Sequence, residues 1–448
     1  MGANFEGARR PSVAFVTLGC AKNEADTARM RSRLAEAGFA LADDPGLADA
    51  VVVNTCSFIQ SATEESIEAV FDAAGLPNVE AGAPLVVAGC MPARYGDDLA
   101  DELVEARAFL PCSREDDIAV VMADALGVSL PLPDVREGRE PLGGAAEGRE
   151  GGARAALPYA YVKISDGCDR FCSYCTIPFI RGRYRSFTLE QVRSEVSSHV
   201  EAGVREIVLI AQDTGRWGED FEEPSSLAEL VSTLAEEFPD TWLRVMYLQP
   251  EGVTEAYLDV VAEHANVCPY FDIPLQHVDA GILRAMNRTG SRAEFERLVE
   301  RILSRVPDAT LRTTLIVGFP GETEELFEEL CDFVEEGLFD YVGVFPYSRE
   351  EGTRAARLDG QVDEDEKAER AQRLRDVADA ASAPRIAARI GREMDVIVEG
   401  AEEDGQIYGR AMCQAPEVDG VTYLPSGEPG EVVRVRIGDT LLYEMEGE

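Results

Sequence analysis

Cys168-Asp-Arg-Phe-Cys172-Ser-Tyr-Cys175 gathers three thiols in one short loop. Three thiolates grip a metal centre yet leave it a ligand short, and an open coordination position is where chemistry occurs. Zinc is one candidate, but it takes four protein ligands in structural sites, or three plus water in catalytic ones, commonly with His among them. The chain has only 3 His. His199 lies beyond the following loop, and His264 and His277 are farther still. An iron–sulfur cubane held by three cysteines keeps one iron free. The spacing favours such a cluster, with zinc or a plain reduced loop as the competing readings.

Three other cysteines repeat a pattern. Cys20 closes Val13-Ala-Phe-Val-Thr-Leu-Gly-Cys20, Cys56 closes Ala50-Val-Val-Val-Asn-Thr-Cys56, and Cys90 closes Ala83-Pro-Leu-Val-Val-Ala-Gly-Cys90. Each is a short apolar run with a helical stretch after it, as parallel strands in βα units are. The C-terminal ends of parallel strands share one sheet edge, where ligands bind in open α/β folds. Three thiols so placed converge, which predicts a second three-thiolate site. The competing reading is that small buried cysteines merely finish core strands. Cys112, Cys268, Cys331 and Cys413 show no ligand spacing and read as structural.

The elements that must position these thiols fall into distinct regions. Residues 11–130 carry the spread cysteines on an α/β parallel sheet. Pro131 to Ala153 is rich in Gly, Pro, Ala and Glu without periodicity, so 131–157 reads as a linker. Over 158–388 six β-type runs alternate with amphipathic helical stretches: Tyr161–Ser165, Glu206–Ala211, Leu243–Leu248, Tyr270–Pro274, Arg312–Val317 and Tyr341–Phe345. Repeated βα units imply a parallel sheet or barrel. Six units are fewer than a full eight, so a partial (βα)6 barrel is expected, with its active face at the strands' C-terminal edge. The cysteine loop follows the first of these strands directly. A charged helical stretch from Asp363 to Ala388 leads to 389–448, where Glu393–Glu399, Gln406–Met412, Gly420–Leu424, Glu431–Ile437 and Thr440–Met445 read as a small antiparallel β-barrel.

Composition bounds the class. At 448 residues, 45% hydrophobic and 28% charged, the chain suits two to four globular domains. A formal net charge of −42 argues against a generic nucleic-acid binder, which carries a basic footprint. It suits a basic partner, or else an acidic bias that only keeps the protein soluble. Residues 391–448 hold four Arg, no Lys and fourteen Asp or Glu, a poor surface for a phosphate backbone. Ten cysteines in so long a chain do not make a secreted disulfide framework, and thiolate metal sites point to a reducing cytoplasm. No apolar stretch is long enough to span a membrane. Arg9-Arg10 ahead of Val13 to Leu18 and Cys20 looks superficially like a lipoprotein signal, but the apolar segment falls short of the roughly seven to fifteen residues required and reads as a first strand.

The cysteine loop with Tyr174 before its last Cys resembles the signature of radical S-adenosylmethionine enzymes. Taken with the spread cysteines, Gly318-Phe-Pro-Gly-Glu-Thr323 and the terminal barrel, called TRAM in that family, the chain resembles the methylthiotransferases from end to end. One branch modifies an adenosine of transfer RNA; the other, the RimO type, adds a methylthio group to an aspartate of the twelfth small-subunit ribosomal protein. Lys163-Ile-Ser-Asp-Gly-Cys168 and Asp272-Ile-Pro-Leu-Gln-His277 look like the ribosomal-protein branch. The transfer-RNA branch tends to carry Gln-Ser-Gly where this chain has Gln276-His277-Val278. An acidic barrel suits a basic ribosomal protein, because charge complementarity steers encounter.

That resemblance implies a [4Fe–4S] cluster on Cys168, Cys172 and Cys175, whose free iron binds S-adenosylmethionine and cleaves it reductively to a deoxyadenosyl radical. It implies a second [4Fe–4S] cluster on Cys20, Cys56 and Cys90, which presents sulfur to the aspartate β-carbon, and a second S-adenosylmethionine as methyl donor. A reductant such as flavodoxin or ferredoxin and a sulfur donor follow as partners, with the ribosomal small subunit as an alternative form of the substrate. Tyr174 is a candidate for the adenine. Gln212, Asp213, Gln276 and His277 follow strands at the expected active edge and are candidates for cofactor or substrate contact, as is Gly318, which with Gly321 also reads as a turn residue. A lone His is more often a structural hydrogen-bonder. Arg181, Arg183 and Arg185 pair with a carboxylate or, more commonly, form a solvated basic face. The second strand lacks the Gly-Gly-Glu that many radical enzymes use for the methionine amino group. The chain has no Gly-rich Lys-Ser/Thr phosphate loop, which argues against ATP-driven sulfur activation. The rival functions are transfer-RNA methylthiolation and, more distantly, a non-catalytic iron–sulfur electron carrier.

Overall fold

The computed structural model describes residues 9–129 and 157–448. The expected 131–157 linker, apart from Leu157, lies outside the described residues. Compact packing divides the chain into two units. The first takes in the described residues before Arg154 together with Tyr161–Asp169 and Cys175–Ala202; the second takes in Arg170–Tyr174, Gly203–Glu448 and the few described residues before Tyr161.

The first unit is built on a five-stranded sheet: β1 (Ser12–Thr17), β2 (Ala40–Ala42), β3 (Ala50–Thr55), β4 (Leu85–Gly89) and β5 (Ala108–Pro111), in the order β2-β1-β3-β4-β5. All four pairings are parallel. Helices cover both faces, so β4 and the Ala50–Val53 part of β3 are apolar without a break, as buried parallel strands are, and Asn54 and Thr55 end β3 as buried polar residues. Val52, Val86 and Ala88 pack with Met30 and Leu34 of α1 (Ala21–Glu36) and with Ile118 and Met122. Val51, Val53 and Val87 pack on the other side with Val70 of α2 (Gln60–Ala74) and Leu99.

Register fixes where the cysteines fall. Thr55 pairs with Gly89, and Gly89 with Pro111. One residue further on, the row across the sheet edge therefore reads Cys56, Cys90, Cys112. Gly19, with φ +99°, comes so close to this row that a Cβ there would stand 2.6 Å from Cys56 Cβ. Gly89, also at φ +99°, faces Asn54 and Thr55 so closely that a Cβ would meet Asn54 Oδ1 at 2.4 Å. Only glycine tolerates both the left-handed backbone and the contact. The Gly-Cys pairs thus turn the chain out of two strands and bring their thiols to a neighbouring strand end.

The six expected central strands all form, with shifted limits: β6 (Tyr159–Lys163), β9 (Glu206–Ile210), β10 (Trp242–Val245), β11 (Tyr270–Asp272), β12 (Thr310–Val317) and β13 (Tyr341–Pro346). The first run breaks at Ile164, and β7 (Ser165–Asp166) turns to pair antiparallel with β8 (Arg185–Ser186). The third ends short of Leu248 because Tyr247 takes a positive φ of 63°. In the second unit β9 and β10 pair parallel, and β11, β12 and β13 form a parallel sheet in that order. Leu248 N–H donates to Asp272 O at 2.9 Å, joining the ends of β10 and β11. These five strands are the parallel-strand part of the second unit. The helix Glu364–Ala387, capped by the Asp363 side chain, closes this part.

The terminal segment is a closed five-stranded barrel: β14 (Glu393–Ala401), β15 (Ile407–Ala411), β16 (Thr422–Leu424), β17 (Val432–Leu441) and β18 (Glu444–Gly447). Two expectations are corrected. Thr440 and Leu441 continue β17, and the turn comes at Leu442, whose φ is 53°. The barrel is not wholly antiparallel either, because β16 and β18 pair parallel to close it. It is tied to the central strands by a buried ion cluster in which Glu206 of β9 accepts from Arg244 at 2.6 Å and from Arg410 at 2.7 Å.

Candidate functional site

Cys20, Cys56 and Cys90 sit at one edge of the first sheet, Cys20 exposed and the other two buried. Their thiols are near enough to influence one another: burial pushes Cys56 up to about 12, and the neighbouring thiols of Cys20 and Cys90 add to the rise. The floor beneath them is a polar lattice. Asn23 Nδ2 donates to Leu18 O at 2.8 Å and Thr55 O at 3.0 Å, Ser66 Oγ donates to Cys56 O at 2.7 Å, and Thr55 Oγ1 donates to Ala88 O at 2.6 Å. Each bond fixes the backbone just before or at a cysteine. Among the described residues no three His, Cys, Asp or Glu side chains crowd closely enough to share one metal ion. All three donors are thiols, the donor type of an iron–sulfur cluster, in which each thiolate takes its own iron.

Two further residues stand at this edge, Cys112, which reads as structural from the sequence, and Arg181, which takes the carboxylate-pairing role and not the commoner solvated one. Cys112 follows β5 as Cys90 follows β4, and the two thiols are hydrogen-bonded. That bond and the nearby Arg181 charge outweigh burial and bring Cys90 down to about 7, while the same bond, reinforced by burial, drives Cys112 up. The signal was present in Ala108-Phe-Leu-Pro-Cys112, the same run closed by a cysteine. Arg181 is not part of a solvated face. Its side chain is 2% exposed, and Nη2 lies 2.9 Å from Asp26 Oδ2, 3.0 Å from Asn23 Oδ1 and 3.6 Å from Cys90 Sγ, with Nη1 3.3 Å from Asp166 Oδ1. Lys163 completes the group, buried against Asp26, Glu115 and Asp166. Burial alone raises the Asp26 carboxyl, but the charges of Lys163 and Arg181 outweigh it and hold Asp26 below the usual carboxylate range.

The tight loop is positioned differently. Cys168, Cys172 and Cys175 are all partly exposed. Cys168 N–H donates to Gly182 O at 3.1 Å in the first unit. In the second, Ser173 N–H donates to Met286 O at 2.9 Å, and Asn287 Nδ2 donates to Arg170 O at 2.9 Å and Phe171 O at 3.2 Å, holding Phe171 at a positive φ of 49°. Arg288, half-buried, donates to Pro274 O at 2.8 Å and hydrogen-bonds the Cys172 thiol, with Tyr174 adjoining the guanidinium. Arg170 pairs with Asp213. Burial raises the Asp213 carboxyl despite that cation.

The remaining candidates lie where β strands end. Gln212 and Asp213 follow β9, and Gln212 Oε1 and Asp213 Oδ1 are buried with no hydrogen-bond partner among the described residues. Buried polar atoms of that kind are normally satisfied by solvent or ligand. Gln276 and His277 follow β11. Gln276 N–H donates to Thr314 O at 2.8 Å. His277 is fully buried, its Nδ1 accepts from Asp279 N–H at 3.0 Å, and its Nε2 faces Glu322 Oε2 at 3.4 Å. Because Nδ1 accepts, Nε2 carries the proton of the neutral ring. Gly318 N–H donates to the other oxygen of Glu322 at 2.8 Å, so His277 and Gly318 converge on one buried carboxylate.

Comparison with known proteins matches the Uncharacterized protein family UPF0004 at 12–110, the Radical SAM superfamily at 162–334 and the TRAM domain at 390–448. The ribosomal protein uS12 methylthiotransferase RimO of Geobacter sulfurreducens is 40% identical, covering 98% of each chain. That of Natranaerobius thermophilus is 39% identical, covering 97% of this chain and 98% of its own. The chain belongs to the RimO family. The RimO protein of Sorangium cellulosum, 41% identical over 97% of this chain and 90% of its own length, extends the relationship. Among solved structures, the radical S-adenosylmethionine methyltransferase TsrM from Kitasatospora setae shares the fold with a TM-score of 0.56 at 17% identity, over 78% of this chain and 74% of its own. Membership of RimO makes this chain a radical S-adenosylmethionine methylthiotransferase with an α/β and β-barrel architecture, as the family resemblance implied.

Proposed function

We propose that this chain adds a methylthio group to the β-carbon of an aspartate in ribosomal protein uS12, Cys168, Cys172 and Cys175 holding one [4Fe–4S] cluster and Cys20, Cys56 and Cys90 a second. The observation that carries the reading is the relationship to RimO over 97–98% of the chain. When bound, the clusters and S-adenosylmethionine supply radical and sulfur-transfer chemistry at an unactivated carbon, which belongs to the cofactors while the protein supplies position and exclusion of water.

The chain's own residues then have defined work. Asn23, Thr55 and Ser66 fix the backbone around the spread thiols, and Asn287 and Arg288 fix the tight loop. We assign Tyr174, Gln212, Asp213, Gln276 and His277 to cofactor or substrate contact. The unpartnered Gln212 and Asp213 oxygens support this. Gly318 reaches the site through Glu322. The domain limits 11–130, 158–388 and 389–448 follow the same reading. A flavodoxin- or ferredoxin-type reductant, a sulfur donor and a cytoplasmic setting among ribosomes complete it. Among the described residues no helix is long and apolar enough to cross a membrane, and the acidic terminal barrel suits a basic ribosomal protein.

The test is mass spectrometry of uS12 and of transfer RNA after anaerobic incubation with reconstituted enzyme, S-adenosylmethionine, sulfide and dithionite. A methylthio increment on one uS12 aspartate, with RNA unchanged, is the expected result. Modified RNA with untouched uS12 overturns the substrate assignment.

A further inference from the structure

Arg181 stands against a spread cysteine, Cys90, and its surroundings are unusual for a merely structural charge. Its Nη2 has two hydrogens and three acceptors within reach: Asp26 Oδ2 at 2.9 Å, Asn23 Oδ1 at 3.0 Å and Cys90 Sγ at 3.6 Å. Asp166 takes the other arm at 3.3 Å. The two carboxylates hold the guanidinium in place with little exposure to water, and Asn23, whose amide is tied to Leu18 and Thr55, fixes its approach to the sulfur. Hydrogen bonds to cluster sulfurs and local charge set the reduction potential of an iron–sulfur centre. A positive donor at a thiolate ligand favours the reduced, more negative cluster; a carboxylate nearby opposes it.

We propose that Arg181 is a positioning residue that tunes the centre held by Cys20, Cys56 and Cys90, its N–H bond to Cys90 Sγ raising the reduction potential and Asp26 moderating that effect. The inference rests on reading those three cysteines as ligands of the second cluster. It makes a signed prediction, because the two members of the Arg181–Asp26 pair pull in opposite directions.

The experiment uses the full chain carrying Cys168→Ala, Cys172→Ala and Cys175→Ala, reconstituted anaerobically so that only the second cluster remains. Its potential is read by electron paramagnetic resonance during a redox titration. Arg181→Gln should lower the midpoint enough to shift the oxidised-to-reduced ratio about tenfold at fixed ambient potential, which is 59 mV for a one-electron couple. Asp26→Asn should move it the other way. Arg181→Lys keeps a charge for Asp26 and Asp166 but lacks the fork that also reaches sulfur, so it should fold where Arg181→Gln fails and still shift the midpoint downward. A folded Arg181 variant with an unmoved midpoint, or a shift of one sign for Arg181 and Asp26 variants alike, overturns the proposal. So does loss of iron together with the fold in every Arg181 variant, since Arg181 is then a structural charge alone. If the parent triple-Ala chain itself holds no iron–sulfur centre, the fault lies instead with the ligand assignment to Cys20, Cys56 and Cys90.

Discussion

The two thiolate triads present the same chemical donors through opposite kinds of construction. The tight triad is local: its cysteines lie within one loop, and hydrogen bonds from Asn287 and Ser173 shape that loop. The spread triad is tertiary, because its thiols meet only when β1, β3 and β4 pair in register. Their frames differ too. Beside Cys90 stands a dense buried ion group, with Arg181 and Lys163 sharing Asp26 and Asp166. Beside Cys172 stands Arg288, held by a backbone carbonyl. A site assembled from distant strands needs its frame locked by charges, whereas a loop is closed mainly by backbone bonds.

The largest expected effect separates the triads outright. Replacing Cys168, Cys172 and Cys175 by Ala should abolish deoxyadenosine formation and leave about half the iron, whereas replacing Cys20, Cys56 and Cys90 should spare deoxyadenosine and abolish methylthiolation. Chromatographic detection of deoxyadenosine together with iron analysis decides this. Loss of all iron from either triple variant would break the picture of two independent sites.

Next in size is the difference between frames. Lys163→Met leaves Asp26, Glu115 and Asp166 with one buried cation fewer, and removing one partner of a buried ion pair costs about 3–5 kcal/mol; Arg181 and Arg29 remain nearby, which places the loss toward the lower end. Arg170→Met strips the buried Asp213 of its cation. Burial already raises that carboxyl and Arg170 is partly exposed, so about 1–3 kcal/mol is expected. Chemical denaturation of the two variants compares them, and equal losses would show that the frames are alike after all.

The tight loop was legible because its cysteine spacing is written in adjacent residues, and the shared sheet edge of Cys20, Cys56 and Cys90 because three strand-like runs end the same way. The fold was legible for the related reason that apolar runs and turn residues are local signals. Arg181 and Cys112 were not. Arg181 follows the cysteine loop in sequence, and nothing local distinguishes it from Arg183, which is exposed, or Arg185, which lies over Phe187. Only tertiary packing brings Asp26 and Cys90 to it. Cys112 carried the strand-end signal, but its run follows β4 at a shorter spacing than the earlier ones, and register had to be known before it joined the row. The late turn at Leu442 was hidden because Leu442 is a poor residue for a positive φ, so the sequence around it reads as strand.

The smallest expected effect tests whether the two frames respond oppositely to acid. Asp26 is held below its unfolded value by Lys163 and Arg181 against burial, so the stability it contributes is present above the unfolded carboxylate value of about 3.9 and is lost as pH falls from there toward the lower folded value. Asp213 is held above its unfolded value by burial, so the folded chain binds its proton more readily and its contribution declines as pH rises from about 3.9 through the raised folded value. Asp26→Asn should therefore flatten the loss of stability on acidification, and Asp213→Asn should steepen it. Urea midpoints of the anaerobically purified variants from about pH 6 down to about pH 2 measure both slopes, and a change of the same sign in the two variants would remove the electrostatic distinction between a frame locked by ion pairs and one whose carboxyl is raised by burial.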